Sequence, residues 1–205
     1  MTLISAIVDR SKTVHMMSDS ITSYSSGAKS QVRFPKATIK KDPRTGERFV
    51  IGASGEVSIN QLCLETFVPP DLPPAEADVY KWCINEFREK LWKILKDADK
   101  LNKDKEGQSM IPGSIILGLR GSIFCLDGYL AIIAVDHPYN AVGSGNECCC
   151  GALHVSLKGN QTPPPSANCR THLLAAMRAA TYHRSGIGPP FHYINTRGEK
   201  KTFEK

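Results

Sequence analysis

Thr2-Leu3-Ile4-Ser5-Ala6-Ile7-Val8-Asp9 opens the chain, and Thr13-Val14-His15-Met16-Met17-Ser18-Asp19-Ser20 follows after a turn-like connection at residues 9–12. Apolar residues, several of them β-branched, crowd residues 3–8 and 13–17, so both read as short strands. The tight connection turns the second strand back along the first. Asp19 then stands at the end of the second strand, opposite the start of the first.

Working outward, a Ser-rich polar stretch at residues 18–30 precedes a third candidate strand at 32–39. Pro43 and Gly46 mark a hairpin turn within residues 40–48, and a fourth strand at 49–52 ends on Gly52. A helix is predicted from just after Gly55 to about Phe67, and Pro69, Pro70, Pro73 and Pro74 then hold the chain extended. The clearest helix covers residues 75–101, where Tyr80, Ile84, Phe87, Leu91, Leu95 and Ala98 recur every three or four positions. A polar loop leads to Gln108. Strands at 114–119, 122–126 and 129–135 follow, joined by turns at Arg120-Gly121 and Asp127-Gly128. Gly143-Ser144-Gly145 closes that region. Residues 149–157 read as a helix, 158–167 as a loop with three prolines, and Asn168 as the cap of a helix to His183. Residues 191–194 could form a last strand. Strands, two helices, strands and two helices suit an α+β domain of two packed sheets with helices outside each.

The 205 residues suffice for one domain, taken as 1–196, followed by a charged tail at 197–205. Hydrophobic residues make up 41% and charged residues 22%, as expected of a globular chain and not of a disordered one. The formal net charge is +6, yet the lysines between Lys93 and Lys105 alternate with Asp97, Asp99 and Asp104. That mixture is a solvated surface, and it argues against a nucleic-acid footprint. No apolar run reaches bilayer length, and Asp9 and Arg10 interrupt the apolar start, so a cytoplasmic protein without a membrane partner is expected. Seven cysteines, with Cys148, Cys149 and Cys150 consecutive, read as reduced and mostly buried thiols. The Asn160-Gln161-Thr162 sequon then carries no meaning. Six scattered histidines contain no i, i+4 pair, so neither a metal nor a cofactor is expected. His183 and His192 read as surface or boundary residues. Trp82 and Trp92 lie on the long helix, and Trp92 is a candidate assembly contact.

Thr2 is the residue with latent chemistry. Loss of Met1 would put a free α-amine beside the Thr2 hydroxyl, and such an amine, with a pKa of roughly 7.7–8.0, is poised to act as a base. A threonine hydroxyl needs that help to become a nucleophile. Lys36, which begins the segment Lys36-Ala37-Thr38-Ile39 on the third strand, could depress the amine by like-charge repulsion while Asp19 holds the lysine. The turn Gly52-Ala53-Ser54-Gly55 offers backbone N–H groups, that of Gly55 above all, to a developing oxyanion. Ser144 adds a hydroxyl in a second strand-to-helix turn. Each residue has a plainer reading: Asp19 as a turn cap, Lys36 as a surface lysine, Gly55, Gly143 and Gly145 as turn glycines.

In combination these residues resemble the proteasome β-type subunits and the bacterial ATP-dependent peptidase that shares their fold, most of all the short proteasome-like proteins of bacteriophage genomes. The stretches that carry the resemblance are residues 1–8, 16–20, 36–39, 49–55, 141–153 and 179–186, in the family's order. The resemblance implies the four-layer αββα sandwich of N-terminal-nucleophile hydrolases. It implies Thr2 as nucleophile, Asp19 and Lys36 as supporting pair, Gly55 as oxyanion donor, and Ser144 and Ser185 as further site hydroxyls. It also implies peptide-bond hydrolysis through an acyl ester on Thr2 and self-association into rings, with an unfoldase or virion proteins as possible partners. The alternative is a catalytically silent, ring-forming subunit of a phage particle or its assembly machinery. One departure stands out: where the family has an aspartate three residues before a Ser-Gly pair, this chain has Tyr182 before Ser185-Gly186. The hairpin at 40–48 is also longer than the family's.

Overall fold

A computed structural model describes residues 1–23, 29–31, 34–159 and 161–204. Along the chain lie β1 (Leu3–Val8), β2 (Val14–Ser18), β3 (Ile21–Ser23), β4 (Lys29–Gln31), β5 (Ala37–Lys41) and β6 (Arg48–Ala53). Helix α1 (Val57–Gln61) runs into a π-helical turn at Leu62–Thr66. Helices α2 (Val79–Trp82) and α3 (Arg88–Asp97) are joined by a second π-helical turn at Cys83–Phe87. There follow β7 (Asn102–Lys103), β8 (Ser109–Met110), β9 (Ile115–Leu119), β10 (Ser122–Leu126), β11 (Ile132–Ala134) and β12 (Tyr139–Gly143). Helices α4 (Asn146–Ser156) and α5 (Ser166–His183) precede β13 (Phe191–Asn195) and β14 (Lys200–Phe203).

Two antiparallel five-stranded sheets result, ordered β12-β1-β2-β13-β14 and β11-β10-β9-β6-β5. The expected α+β sandwich is what the chain forms. Alternation along the strands shows why. On β1, Leu3 and Ile7 pack toward α4 and α5, whereas Ile4, Ala6 and Val8 pack between the sheets. On β6, Phe49, Ile51 and Ala53 pack toward the first group of helices, and Val50 faces the other sheet. Both faces of each sheet are therefore covered, which is why β1 and β2 are buried at every residue.

The two sheets approach closely where a strand carries no side chain between them. A Cβ on Gly118 would lie 2.4 Å from Val14 Cγ1 and 2.7 Å from Val50 Cγ2. One on Gly52 would lie 2.9 Å from Ile4 Cγ2.

Several boundaries differ from the sequence reading. The long helix begins at Val79, not residue 75, because the Asp78 carboxylate accepts the N–H groups of Tyr80 and Lys81 while the preceding prolines keep the chain extended. Strand β12 was not expected. Its alternation is masked by polar Asn140 and the flanking Pro138, and it exists because it pairs with β1 from Leu3↔Gly143 to Ile7↔Tyr139. Helix α5 starts two residues before Asn168, directly after Pro165. Within residues 197–205, Lys200–Phe203 pairs with β13 as an edge strand. Residues 32 and 33 of the expected third strand, residues 24–28 of the polar stretch and Asn160 of the sequon lie outside the described residues. Trp82 is buried, its indole N–H donating to Asp71 O at 2.9 Å, and Trp92 is half-buried against the same core. Five of the seven cysteines are buried. Among the described residues no helix is long and apolar enough to cross a membrane.

Filling the contact between the sheets should be costly. Gly118→Ala is expected to lower the unfolding free energy by about 1–3 kcal/mol, because the β-branched Val14 and Val50 have little rotamer freedom with which to yield. Urea denaturation of the two proteins checks this, and an unchanged midpoint would contradict the close approach.

Candidate active site

Strand ends from both sheets converge at one edge of the sandwich. Thr2 precedes β1, Asp19 follows β2, Lys36 precedes β5, Ser54 and Gly55 follow β6, and Ser144 follows β12. The hairpin of β1 and β2 carries Asp19 to the first strand: Asp19 N donates to Leu3 O at 3.1 Å, and Leu3 N donates to Asp19 Oδ1 at 2.9 Å. The other oxygen, Oδ2, accepts Ile21 N at 3.0 Å.

Lys36 is not a surface lysine. Its side chain is 2% exposed and that of Asp19 0%. The Lys36 ammonium donates to Asp19 Oδ1 at 2.9 Å, to Met1 O at 3.1 Å and to Ile21 O at 2.5 Å. Three acceptors use all three N–H groups, so the lysine is a saturated cation with no lone pair to serve as a base. Burial pushes the Asp19 carboxyl up and the Lys36 ammonium down, and each is drawn back toward its charged form by the other.

This cation sits against the peptide bond between Met1 and Thr2. Since Met1 O accepts from it, the Thr2 nitrogen lies within about 6 Å of the charge, given ordinary amide bond lengths. The amine at residue 1 is itself held below its ordinary value, chiefly by burial and then by Lys36, with Asp19 opposing. Thr2 is buried, whereas Met1 is half-exposed.

The glycines around Thr2 are required by the backbone. Gly143 has φ +92°, and a Cβ there would lie 2.1 Å from Thr2 O. With that approach possible, Ser144 N donates to Thr2 O at 2.7 Å. Gly55 has φ +106°, and its Cβ would lie 2.1 Å from Pro112 O. Gly55 is exposed, and its N–H makes no hydrogen bond to the described residues. Ser54, which the sequence did not single out, ties this turn to the opposite strand: its Oγ donates to Ser114 O and accepts from Ser114 N, both at 3.0 Å.

Residues 184–190 wrap the same edge. Ser20 N donates to Gly188 O at 3.1 Å, and the Ser20 hydroxyl donates to Pro190 O. The Met1 side chain lies over Gly186, where a Cβ would come within 1.9 Å of Met1 Cε. Ser185, next to Gly186 in the chain, is exposed. Tyr182 is 87% exposed, edge-to-face with His183, so its phenol stands in solvent. His192, on β13 beside Ser18, is a boundary residue: it is partly buried, its Nδ1 meets Thr202 Oγ1 at 3.1 Å and its Nε2 is buried. No group of three metal-ligating side chains occurs among the described residues.

The architecture that carries these residues is found in solved proteins. The fold is that of BPH, Anbu and HslV. BPH of Thiobacillus denitrificans, solved in complex with epoxomicin, matches with a TM-score of 0.69 at 14% identity over 94% of this chain and 97% of that one. Anbu, the ancestral β-subunit, from Yersinia bercovieri matches with a TM-score of 0.66 at 16% identity over 99% and 87%. Eukaryotic HslV from Trypanosoma brucei matches with a TM-score of 0.61 at 17% identity over 95% and 98%. No protein-family model and no curated protein matches the sequence.

Breaking the buried pair on one side only strands the other charge. Lys36→Met should cost about 3–5 kcal/mol, and pairing it with Asp19→Leu should recover part of that loss. A double-mutant cycle by chemical denaturation measures the coupling, and strictly additive effects would remove the pair from the account of the site.

Proposed function

We propose that this chain is a proteasome-like threonine hydrolase of the N-terminal-nucleophile type, cleaving peptide or amide bonds with Thr2 once Met1 has been removed. The observation that supports it most is the saturated Lys36 cation held by Asp19 against the Met1–Thr2 peptide. A surface lysine has no reason to be buried there, and Asp19, besides capping the turn at Ile21, is the carboxylate that holds it.

In the proposed reaction, Thr2 Oγ attacks the scissile carbonyl carbon while the Thr2 amine takes the hydroxyl proton. The tetrahedral oxyanion is met by the Gly55 N–H, which no described residue occupies. Collapse returns the amine's proton to the leaving nitrogen and leaves an ester on Thr2. Water, deprotonated by the same amine, then hydrolyses the ester and restores Thr2. Lys36 contributes its charge, which favours the neutral and basic form of the amine, and not a proton. Ser144 and Ser185 are proposed as hydroxyls beside the amine. No cofactor is required. Self-association is part of the proposal, since Anbu of Pseudomonas aeruginosa was solved as a helical assembly, and an unfoldase would be a further partner. Trp92 is proposed as one assembly contact.

A second reading is favoured by one observation. The family's aspartate is replaced by Tyr182, whose phenol faces solvent, so no carboxylate orients the hydroxyls at that position. Under that reading the chain is a silent assembly subunit, of a phage particle or another structure.

The intact mass of the native protein separates the two. Loss of Met1, hydrolysis of fluorogenic peptides, and a drop of about 10³-fold or more in Thr2→Ala are expected of the hydrolase. Epoxomicin, the ligand of the Thiobacillus denitrificans neighbour, should then leave an adduct mapping to Thr2. A retained Met1 with no hydrolysis would establish the silent reading. The pH profile supplies a sharper check. Because the neutral Thr2 amine is the working form and the Lys36 charge lies beside it, the rate should rise with pH, with its inflection below the ordinary range of roughly 7.7–8.0. An inflection at or above that range would contradict the role given to Lys36.

A further inference from the structure

The candidate active site uses one end of β2. The other end holds a second buried polar cluster, independent of the hydrolase reading. Asp9, His15 and Asn195 are each 1% exposed and Tyr193 is 3% exposed. His15 Nε2 lies 3.0 Å from Asp9 Oδ2, and His15 Nδ1 lies 2.6 Å from the Tyr193 hydroxyl. The chain continues through Asn195 Nδ2, which donates to the Tyr193 hydroxyl oxygen at 3.2 Å and to Glu199 Oε2 at 2.9 Å.

The direction of every proton in this chain can be deduced. Asn195 Oδ1 accepts the N–H groups of Arg197 and Glu199, both at 3.0 Å, which decides which end of the amide is nitrogen. Asn195 therefore donates to the Tyr193 oxygen, and the single hydroxyl proton of Tyr193 goes to His15 Nδ1. Nδ1 is an acceptor, so the imidazole proton sits on Nε2 and is donated to Asp9. Asp9 accepts at its other oxygen as well, from the N–H groups of Ser11 and Thr13 at 2.8 Å. Burial opposes its charge, yet hydrogen bonds from His15, Ser166 and the Thr13 N–H hold its carboxyl below the ordinary value. The arrangement is complete only with His15 neutral.

We propose that His15 is an acid-operated clamp: a second proton, at Nδ1, removes the acceptor of the Tyr193 hydroxyl and loosens the β13–β14 hairpin from β2. With Nδ1–H present, the Tyr193 oxygen faces donors on both sides, and its own proton has no acceptor among the described residues. Burying a hydroxyl in that state is unfavourable, because its proton has been taken from water and given no partner. The phenol cannot escape by ionising, since burial pushes its pKa up to about 12. The hairpin is the element that responds because β14 is an edge strand that pairs, among the described residues, with β13 alone. Attachment of β13 to β2 ends at the cluster, where Asn195 pairs with His15 and Thr196 N donates to Val14 O at 3.0 Å.

The charged and titratable groups facing the cluster come from each neighbouring element. The β1–β2 turn supplies Asp9, α5 supplies Ser166, Cys169 and Arg170, and the β13–β14 turn supplies Arg197 and Glu199. His15 is held below the ordinary imidazole range, chiefly by burial. Asp9 and Glu199 pull the other way, and Arg197 adds to the depression. The folded chain thus binds the second proton more weakly than the unfolded chain. The stabilisation is fully present above the unfolded value of about 6.5 and is lost as pH falls through it toward the lower folded value.

Hydrogen exchange of the full chain at pH 7.5 and 5.5, corrected for intrinsic rates, tests the clamp. Amides of residues 191–203 should exchange about tenfold faster at pH 5.5, with little change in β9 and β10. In Tyr193→Phe the hydroxyl is gone, so the difference between the two pH values should shrink below about twofold. His15→Gln serves the same purpose if the phenylalanine variant fails to fold. Equal protection of the wild-type hairpin at both pH values would overturn the proposal. So would a full pH difference persisting in either variant, since another group would then be responsible.

Discussion

Burial of β1 and β2 on both faces is the constraint on which the rest of the structure depends. Each of these strands is covered by helices on one side and by the second sheet on the other. A strand in that position can keep charge only at its ends, where side chains and turns of other strands can satisfy it. On β2 both ends carry such groups. One end has Asp19 with Lys36, and the other has His15 with Asp9 and Tyr193. The same covering explains the close approach at two glycines: Ile4, Val14, Met16 and Val50 already fill the space that a Cβ on Gly52 or Gly118 would need.

The candidate site follows from this arrangement and not from any single motif. Because β5 and β6 belong to the second sheet, Lys36 and Gly55 come to the edge that carries Thr2 only when the sheets stack with their strand ends aligned. Lys36 then satisfies itself on two backbone carbonyls and one carboxylate. In the proposed hydrolase, a saturated cation beside the nitrogen of residue 2 would serve to keep the amine neutral. A silent assembly subunit would have no use for it, although such a pair can persist once inherited with a fold. Tyr182 is the residue that keeps the silent reading in contention.

The chemistry of the cluster at His15 is of another kind. Asp9, His15, Tyr193 and Asn195 are all buried, and their protons answer to pH. The cluster's position at the turn of the C-terminal hairpin couples that titration to the attachment of an edge strand. The same β2–β13 pairing runs from His15↔Asn195 to Ser18↔His192, ending beside Asp19.

Much of this was legible in the sequence by itself. The two opening strands, the helix of period 3.6 after the prolines, the β run from residue 115 and the closing helix all arise from local patterning, because an element buried on a known face must repeat its apolar residues at that element's period. Thr2, Asp19, Lys36, Gly55 and Ser144 could be picked out by type and by position at strand ends. What the sequence could not determine was which of them are buried and what they touch. Lys36 reads as a surface residue because its acceptors are backbone carbonyls of Met1 and Ile21, and a carbonyl leaves no mark in residue identity. Strand β12 reads as loop because its pairing with β1 spans more than a hundred residues. The cluster of Asp9, His15, Tyr193 and Asn195 was invisible for the same reason: it joins the first turn to the last hairpin, and only the packed sheets bring those ends of the chain together.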